Sequence, residues 1–525
     1  MLHIDLAGLM QRTVPLPVAS GNFSSLAIRG TNVFYLTHPI SLVGGDLPGQ
    51  DTGLHVVDMR KGEDRTVIKS LDNFALSGDG NWVLYKQGPG WSIAAVATPG
   101  DARPLALQGL TTQVNLHQEW AAMFNRVWRL DRDFYLSPAM NGIDWPAVRT
   151  AYAKWLPLLG SRDDLNYLIG QVQGELATSH MVYWGGDFGP RAKRAATPRL
   201  GADYALDAAS GKYRLTRIYA GDNSRPALRS PLTEPGADVR EGDFLLAING
   251  HPLIAPATPD SALEGVDGKL DLLVASSLSA PPRHVIVTPV QDEFNLREQA
   301  MIDDNRRKVD RLTGGRVAYL YLADFEERGA EQFVRQFYPQ IGKQALIIDI
   351  RNNAGGYTSQ QILERLRRRI ADMYVNRAGG RDTLPAQLIA GPKVTLINQF
   401  TGSDGDQFAY YFREDGLGKV VGQRSWGGVR GVTRPLELAD GGRLFVPKDA
   451  LYSPTGHWII ENHGTDPDVV VADVPGESAQ GKDAQLDKAI ALMNEALGRR
   501  PTVLPAAPPA LPAYPKSGQV PGPGF

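Results

Sequence analysis

A serine at residue 403 stands where a strand-like segment gives way to a helix-like one, and it is the first candidate for chemistry. The segment INQFTGSDGDQFAYYF, Ile397–Phe412, has an apolar approach, a Gly-Ser-Asp-Gly turn and an amphipathic aromatic run. Serine in such a place is commonly the N-cap of a helix. It is also a place where a nucleophile gains from the free N–H groups of a helix start. Both interpretations are open at this point.

A second turn of the same kind holds the pair Gly355 and Gly356, after the apolar strand Ala345–Ile350. The carboxyl ends of parallel strands meet at one edge of an α/β sheet, where ligands collect. The backbone N–H groups of Gly356 and Asp404 would then lie beside the Ser403 hydroxyl and stabilise a developing oxyanion. The alternative is a simple helix cap and a permissive glycine turn.

Serine is a weak nucleophile, so this hypothesis requires a base. The carboxyl-terminal processing proteases combine a PDZ domain and a similar α/β core with a lysine base, which follows the serine in the sequence. In this chain the comparable turn is RSWGGVRG, residues 424–431, and glycine stands in the position of that lysine. Lys419 is nearer to the serine but falls in a predicted turn. The hypothesis of a Ser–Lys dyad is therefore weakened, and histidine is the next candidate for the base.

Three histidines are candidates for the base. His457 and His463 flank the last predicted strand of the α/β segment. His180 follows Ser179 in GELATSHMVYWG, just beyond a predicted helix and before an aromatic-glycine turn. It is far from Ser403 along the chain, but catalytic groups assemble in space rather than in sequence.

The elements that must position these residues differ in periodicity along the chain. Residues 296–498 form an α/β segment, in which strands and helices alternate and predict a largely parallel sheet with right-handed crossovers. Residues 113–196 carry apolar side chains at helical spacing and predict a helical subdomain. Residues 197–295 read as strands, with Asn249 and Gly250 as a hairpin signal. This third segment resembles a PDZ domain, a fold that binds extended peptides at a sheet edge.

The first 112 residues predict part of a β-propeller. LAIRGTNVFYL (Leu26–Leu36) is similar to FALSGDGNWVLY (Phe74–Tyr85), which begins 48 residues later. A period of this length is typical of four-stranded blades, and about two blades are visible. The Pro- and Gly-rich stretch 499–525 is predicted to be a disordered tail. The fold class is therefore multidomain α+β, with partial propeller blades, a helical subdomain, a PDZ-like β-domain and an α/β core of the ClpP/crotonase-like type.

Composition excludes several function classes. The net charge of −2 gives no electrostatic footprint for nucleic acid. The absence of cysteine excludes disulfides, thiolate metal sites and a cysteine nucleophile. No apolar run reaches the ~20 residues of a membrane helix, and the first residues lack a signal-peptide pattern. We predict no metal, no cofactor and no nucleic-acid or membrane partner. A cytoplasmic location is expected, unless truncation at the N-terminus hides a targeting segment.

Residues 5–495 resemble the carboxyl-terminal half of the tricorn protease family. That half has a last piece of β-propeller, a helical first catalytic subdomain, a PDZ domain and an α/β second catalytic subdomain. Five segments carry the resemblance in the family's order: ELATSH (175–180), DIRNNAGGYTSQ (349–360), GSDGDQF (402–408), RSWGG (424–428) and ENHGTDPDVVV (461–471). The resemblance implies a serine peptidase with a Ser-His-Ser-Glu tetrad. The matched positions are Ser403 as nucleophile, His180 as general base, Ser179 and Glu461 as the residues that hold the imidazole, and Gly356 and Asp404 as oxyanion donors.

The resemblance also implies a substrate class and partners. Substrates would be unfolded peptides and oligopeptides, cleaved by a cytoplasmic homo-oligomer, a hexamer, that feeds aminopeptidases. The family's acidic residue for a basic P1 side chain should fall near Met373 or Tyr374; Asp372 is adjacent, but the spacing does not place that residue at Asp372. Since Met373 and Tyr374 are not acidic, a hydrophobic P1 residue is the alternative. The alternative functions are a Ser–Lys carboxyl-terminal processing protease and a non-catalytic peptide-binding scaffold of PDZ and propeller pieces.

Overall fold

The structure is a computed structural model. It describes residues 6–42, 45–46, 51–107, 109–191, 195–432, 434–478, 480–499 and 504–508. The chain divides into two compact units, Met1–Asn115 and Leu116–Phe525. Of the tail predicted to be disordered, Arg499 ends the last helix and residues 504–508 lack regular secondary structure. The rest of that tail lies outside the described residues.

The first unit contains, in its described part, two four-stranded antiparallel sheets of order β1-β2-β5-β6 and β10-β9-β8-β7, and a short hairpin β3-β4. Phe34, Leu54 and Val83 are fully buried in one core to which both sheets contribute. The pattern fits two propeller-type blades, as the internal repeat predicts. The strands are Asn22–Arg29, Asn32–His38, Ser41–Leu42, Gly45–Asp46, Gly53–Asp58, Glu63–Ile68, Asn73–Leu76, Trp82–Gln87, Gly90–Ala95 and Arg103–Pro104.

The second unit begins with three helices, α1 (Leu116–Phe134), α2 (Trp145–Ala153) and α3 (Arg162–Gly174). Local sequence sets where they start. The Asp144 carboxylate accepts a hydrogen bond from Ala147 N at the start of α2, and a capping box of Ser161 and Asp164 begins α3. Strand β11 (Val182–Trp184) follows. The helical core also contains side chains from much later in the chain, which are Leu438, Leu444 and Val446.

A β-domain of PDZ type comes next, with strand order β12-β13-β14-β16-β17 and β15 paired to β14. Asn249 (φ 51°) and Gly250 (φ 77°) form the predicted tight turn between β14 and β15, since both residues need positive φ there. The domain has its own apolar core. Its elements are β12 Ala202–Asp207, β13 Lys212–Ile218, β14 Phe244–Ile248, β15 His251–Pro252, α4 Pro259–Leu263, β16 Leu270–Ala275 and β17 Arg283–Val287.

The α/β core is built on a five-stranded parallel sheet of order β18-β19-β22-β23-β28. Strands β18, β19 and β22 are buried at every residue, as expected when helices cover both faces. The sheet strands are Val317–Tyr321, Ala345–Asp349, Lys393–Ile397, Gly418–Gly422 and Val469–Val470. The helices are α5 Phe294–Thr313, α6 Glu327–Phe337, α7 Ser359–Leu366, α8 Asp404–Glu414, α9 Pro475–Ser478 and α10 Ala484–Arg499.

Smaller strands complete the unit. The sheet β11-β26-β25 pairs Val182–Trp184 with Arg443–Phe445, and so joins the helical subdomain to the α/β core. The additional strands are β20 Asp372–Val375, β21 Arg381–Leu384, β24 Gly431–Val432, β25 Leu436–Glu437, β26 Arg443–Phe445 and β27 Pro447–Asp449. Short 3-10 helices cover Met10–Arg12, Pro99–Asp101, Met140–Gly142, Leu156–Leu158, Pro226–Leu228, Pro231–Thr233 and Tyr338–Gln340.

Candidate active site

Ser403 lies between the carboxyl end of β22 and the first residue of α8 in an unusual backbone conformation. Its φ and ψ are 54° and −119°, and its side chain makes no capping hydrogen bond. A positive φ at a residue with a side chain costs about 1–3 kcal/mol, and such strain clusters at functional sites. A capping serine would instead use its oxygen to accept a backbone N–H. The geometry therefore disfavours the simple cap.

Two backbone N–H groups are available beside this serine. A Cβ built on Gly355 would lie 2.5 Å from the Ser403 Cβ and 2.9 Å from Asp404 N, so only glycine permits this approach. Gly356 has φ 143° and packs against the Phe325 carbonyl. In the described part of the chain, neither Gly356 N–H nor Asp404 N–H donates to another group. Unpaired N–H groups are the condition that the predicted oxyanion role of Gly356 and Asp404 requires.

The Asp404 carboxylate has a separate, structural task. It accepts hydrogen bonds from Ser359 N at 2.9 Å and Ser359 Oγ at 2.5 Å. Burial raises the pKa of Asp404, and these two hydrogen bonds oppose the rise. The contact fixes the start of α8 against the start of α7, which steadies the backbone N–H of Asp404.

His180, Ser179 and Glu461 form a continuous hydrogen-bonded chain. Ser179 Oγ lies 3.0 Å from Glu461 Oε2 and 3.1 Å from His180 Nδ1. Since the serine hydroxyl has one proton, which it donates to the carboxylate, it accepts from Nδ1–H. This leaves Nε2 of His180 without a proton, the tautomer that a general base requires.

The Glu461 carboxylate is held from several sides. It accepts from Ser179 N at 2.8 Å and from Val429 N at 2.9 Å. Arg430 Nε lies 3.8 Å from Glu461 Oε1 in an ion pair in which the glutamate side chain is only 5% exposed. The guanidinium lies over the Trp458 ring, 5.5 Å from its centroid. The Glu461 side chain is therefore held in one position behind Ser179.

Burial lowers the pKa of His180, and the nearby negative charge of Glu461 partly offsets that fall. The His180 backbone has φ 59°, again a strained value for a residue with a side chain. An imidazole with a lowered pKa is neutral at pH 7 and ready to accept a proton.

Trp426 contacts both His180 and the turn that precedes Ser403. Its ring meets the His180 ring edge-on, with centroids 5.5 Å apart. The same indole packs on Gly402 and Gly428, where an added Cβ would lie 2.8 Å and 2.2 Å from the ring. Its backbone N–H donates to Thr401 O at 2.8 Å. The Trp426 side chain therefore packs against both His180 and the turn before Ser403.

No hydrogen bond joins His180 to Ser403 among the described residues. Such contacts are often long before substrate binds and tighten in the reactive complex. Ser179, His180 and Glu461 are joined by hydrogen bonds, and Trp426 contacts both the His180 ring and Gly402, the residue before Ser403.

The alternative bases have other partners or positions. Lys419 is paired with Val394 at the amino end of the sheet, whereas the serine follows the carboxyl end at Ile397, about 10 Å along the strand. His463 Nε2 lies 2.7 Å from Asp466, and His457 Nδ1 lies 3.1 Å from Thr455 Oγ1. These placements favour His180.

Asp372, Met373 and Tyr374 form strand β20 of a two-stranded hairpin. The Tyr374 side chain is 61% exposed. No hydrogen bond, ion pair or ring contact in the described part of the chain connects these three residues to the tetrad. Their role in P1 selection stays a prediction.

Two residues of the site were missed by the sequence analysis. Buried Asp406 accepts from Ser425 Oγ, from Gly427 N at 3.0 Å and from Gly428 N at 3.2 Å, and burial raises its pKa to about 6. Asn462 donates to Ala177 O at 2.8 Å, and its backbone N–H donates to the Gly427 carbonyl. Asp406 could have been predicted from the sequence, because it is a carboxylate on the buried face of α8. For Asn462, the sequence offers only its position directly after Glu461.

The described residues contain no group of three or more His, Asp or Glu side chains able to hold a metal ion. In the same part of the chain, no helix combines the length and apolarity that crossing a membrane requires.

Three stretches of the chain match known protein families. Residues 116–174 match the tricorn protease C1 domain, residues 199–292 the tricorn protease PDZ domain, and residues 316–471 peptidase family S41. The three occur in this order along the second unit. The site residues Gly356, Ser403 and Glu461 lie within the third stretch.

Relatives and a solved structure extend the similarity to most of the chain. Tricorn protease homolog 1 of Streptomyces coelicolor is 35% identical over 530 residues, which is 97% of this chain and 48% of that protein. The tricorn protease of Thermoplasma volcanium is 30% identical over 497 residues, 93% of this chain and 48% of that one. The crystal structure of the tricorn protease superposes with a TM-score of 0.85 at 28% identity, over 93% of this chain and 48% of that chain. The chain spans about half the length of these relatives.

Proposed function

Because the chain belongs to the tricorn protease family, we propose that it is a serine peptidase that cleaves unfolded peptides and oligopeptides through an acyl-enzyme. The observation that carries the proposal is the strained Ser403 turn, with free N–H groups beside it and the His180–Ser179–Glu461 chain at the same edge. A residue that served packing alone would not need this combination.

In the first step, His180 Nε2 removes the proton of the Ser403 hydroxyl as Oγ attacks the carbonyl carbon of the substrate. The carbonyl oxygen becomes an oxyanion, to which the N–H groups of Gly356 and Asp404 donate. Such preorganised donors stabilise the transition state by a few kcal/mol each. Because the glycine turn and the helix start hold them in place, they need no rearrangement during the reaction.

In the second step, the imidazolium of His180 gives its proton to the leaving amine, and the acyl group remains on Ser403. Ser179 keeps the ring orientation through Nδ1, and the charge of Glu461 stabilises the imidazolium through that serine. Water then enters, loses a proton to His180 and attacks the acyl carbon. The peptide acid leaves, and Ser403 regains its proton.

Two alternatives are less well supported. A Ser–Lys dyad conflicts with the position of Lys419 at the opposite end of the sheet. A non-catalytic peptide-binding scaffold would not require the hydrogen-bonded chain of His180, Ser179 and Glu461. Assembly into a homo-oligomer such as a hexamer, transfer of products to aminopeptidases and a cytoplasmic location stay predictions.

Replacing the nucleophile tests the proposal. Ser403→Ala should lower kcat for an unfolded peptide substrate by about 10⁴–10⁶-fold, because the acyl-enzyme can no longer form. Ser453→Ala, at a serine outside the site, is the matched control and should behave as wild type. Circular dichroism and thermal unfolding of both variants report the fold. A Ser403→Ala variant that hydrolyses peptide at nearly the wild-type rate would disprove the proposal.

A further inference from the structure

We propose that a cavity beside Trp426 binds the first side chain after the scissile bond, and that it selects an uncharged, apolar or aromatic side chain. This rests on the proposed function, because it takes His180 as the proton donor to the leaving amine. The inference concerns which substrates the site prefers on the leaving-group side.

Proton transfer determines which side of the site is involved. Ser179 Oγ lies 3.1 Å from His180 Nδ1, so Nε2 is the nitrogen that serves the reaction. A general acid must lie within hydrogen-bond distance of the group that it protonates. The first residue of the leaving peptide therefore lies against the imidazole. Trp426 is the ring that meets this imidazole, and 52% of its surface is exposed.

The cavity continues from Trp426 along the loop that carries the base. Its volume is about 380 Å³, and it is open to solvent on one side. The loop 177–179 forms one wall, Trp426 and Gly427 form another, and Gly174 and Asn462 complete it. We place the side chain of the leaving residue in this cavity because two of its lining residues contact the base: Ser179 binds His180 Nδ1, and the Trp426 ring meets the His180 ring.

The lining indicates the chemistry of the occupant. None of the lining side chains carries a charge, so a charged occupant would lose hydration without gaining a counter-charge. The indole offers a broad apolar face, on which an aromatic or aliphatic side chain gains contact area. Gly174, Ala177 and Gly427 are small, which leaves the volume open. Thr178 and Asn462 add polar atoms that suit the peptide backbone.

Acyl transfer from the enzyme to an added amine measures binding at the proposed cavity separately from the acylation step. A peptide ester acylates Ser403, and its alcohol leaves with the proton from His180. The acyl-enzyme is then attacked by water or by an amino acid amide, whose amine proton returns through His180 to Ser403. Since both reactions start from one intermediate, their ratio reports binding of the amine where the leaving group was bound.

For the wild-type protein, phenylalaninamide and leucinamide should give aminolysis-to-hydrolysis ratios about tenfold above those of aspartic acid amide and argininamide, since apolar pockets discriminate by about this factor.

Gly174→Leu tests whether the cavity binds the amine. Gly174 lines the cavity at the end of α3, and a Cβ there meets nothing within 4 Å, so a leucine adds apolar volume at the cavity wall without a backbone collision. The ratio for phenylalaninamide should fall by about tenfold, and the ratio for glycinamide should change far less.

Gly342→Leu is the matched control. A Cβ at Gly342 also meets nothing within 4 Å, and the residue lies just before β19, at the amino end of the sheet. Its ratios should equal those of the wild type. Equal ratios for all amides, or identical behaviour of Gly174→Leu and Gly342→Leu, would overturn the subsite while Ser403-dependent ester hydrolysis still supported the peptidase. Ester hydrolysis that Ser403→Ala retains in full would overturn both proposals.

Discussion

At the scale of single residues, we expect the ionisation of His180 to set the pH range in which the proposed peptidase works. Burial lowers the pKa of the imidazole below its usual value of about 6.5. The active form is neutral, so kcat/KM should be lost as pH falls through this lowered pKa and be fully present above about pH 7. A pH profile of peptide hydrolysis measures this acid limb. A limb centred above pH 8 would indicate a lysine base and contradict His180.

Asp406 titrates in a similar range, because burial raises its pKa to about 6. Its carboxylate accepts the backbone N–H groups of Gly427 and Gly428, so protonation would loosen the turn that carries Trp426. The profile of Asp406→Asn separates the two groups. An acid limb that persists in this variant belongs to His180.

We expect Arg430 to influence the ionisation of His180, because it pairs with Glu461. Its Nε lies 3.8 Å from Glu461 Oε1, and the negative charge of Glu461 raises the pKa of His180. Arg430→Met removes the opposing positive charge, so the acid limb of kcat/KM should move to higher pH. Arg424→Met, at an exposed arginine paired with Asp466, is the control and should leave the limb in place. An acid limb that Arg430→Met leaves unmoved, or shifts to lower pH, would contradict this role.

At the scale of elements, the turn after β23 matters as much as the nucleophile turn. Residues 425–430 carry Trp426, the Val429 N–H that binds Glu461 and the Arg430 N–H that lies 3.4 Å from Ser179 Oγ. Asp406 of α8 holds this turn through Gly427 and Gly428. One helix thus supports both the oxyanion donor at its first residue and the turn that supports the base.

Gly428→Ala tests this arrangement. The added methyl group would lie 2.2 Å from the Trp426 ring, and the indole must therefore move from its place beside His180. We expect kcat to fall by about tenfold or more, because small misplacements of catalytic groups have large effects on rate. Gly342→Ala, where a Cβ has no neighbours, should keep the wild-type kcat. An unchanged kcat in Gly428→Ala would show that Trp426 does not position the base.

Much of the α/β core follows from local sequence. The runs ALIID and KVTLI are apolar or β-branched except for Asp349 and Lys393 at their ends, and they form fully buried strands. The glycine turns after them mark the edge where Ser403 lies. The partners of that turn could not be predicted in this way. The Trp426–His180 contact and the Asp406 hydrogen bonds join residues that no local periodicity relates. The hairpin of Asp372–Val375 with Arg381–Leu384 was also missed, since its exposed residues lack a clear alternation.

At the scale of the whole molecule, the site depends on contact between the helical subdomain and the α/β core. The ion pair of Arg162 and Asp440 is nearly fully buried, with the two side chains 3% and 4% exposed. It lies next to the β11–β26 pairing, which begins two residues after His180. Removing one member of a buried pair typically costs about 3–5 kcal/mol. Residues far from the chemistry therefore fix the base in place, and the PDZ-type domain, which lies between the two parts in sequence, keeps a core of its own.

Covalent labelling with a fluorophosphonate tests the central claim, that this assembled site activates Ser403. The folded protein should gain one phosphonyl group, and peptide mapping should place it on Ser403. His180→Ala should react at least about a hundredfold more slowly, because the hydroxyl loses its base, while Ser403→Ala and the heat-unfolded chain should not react. A folded wild-type protein that gains no adduct, or gains it on another residue in both wild type and Ser403→Ala, would contradict the account.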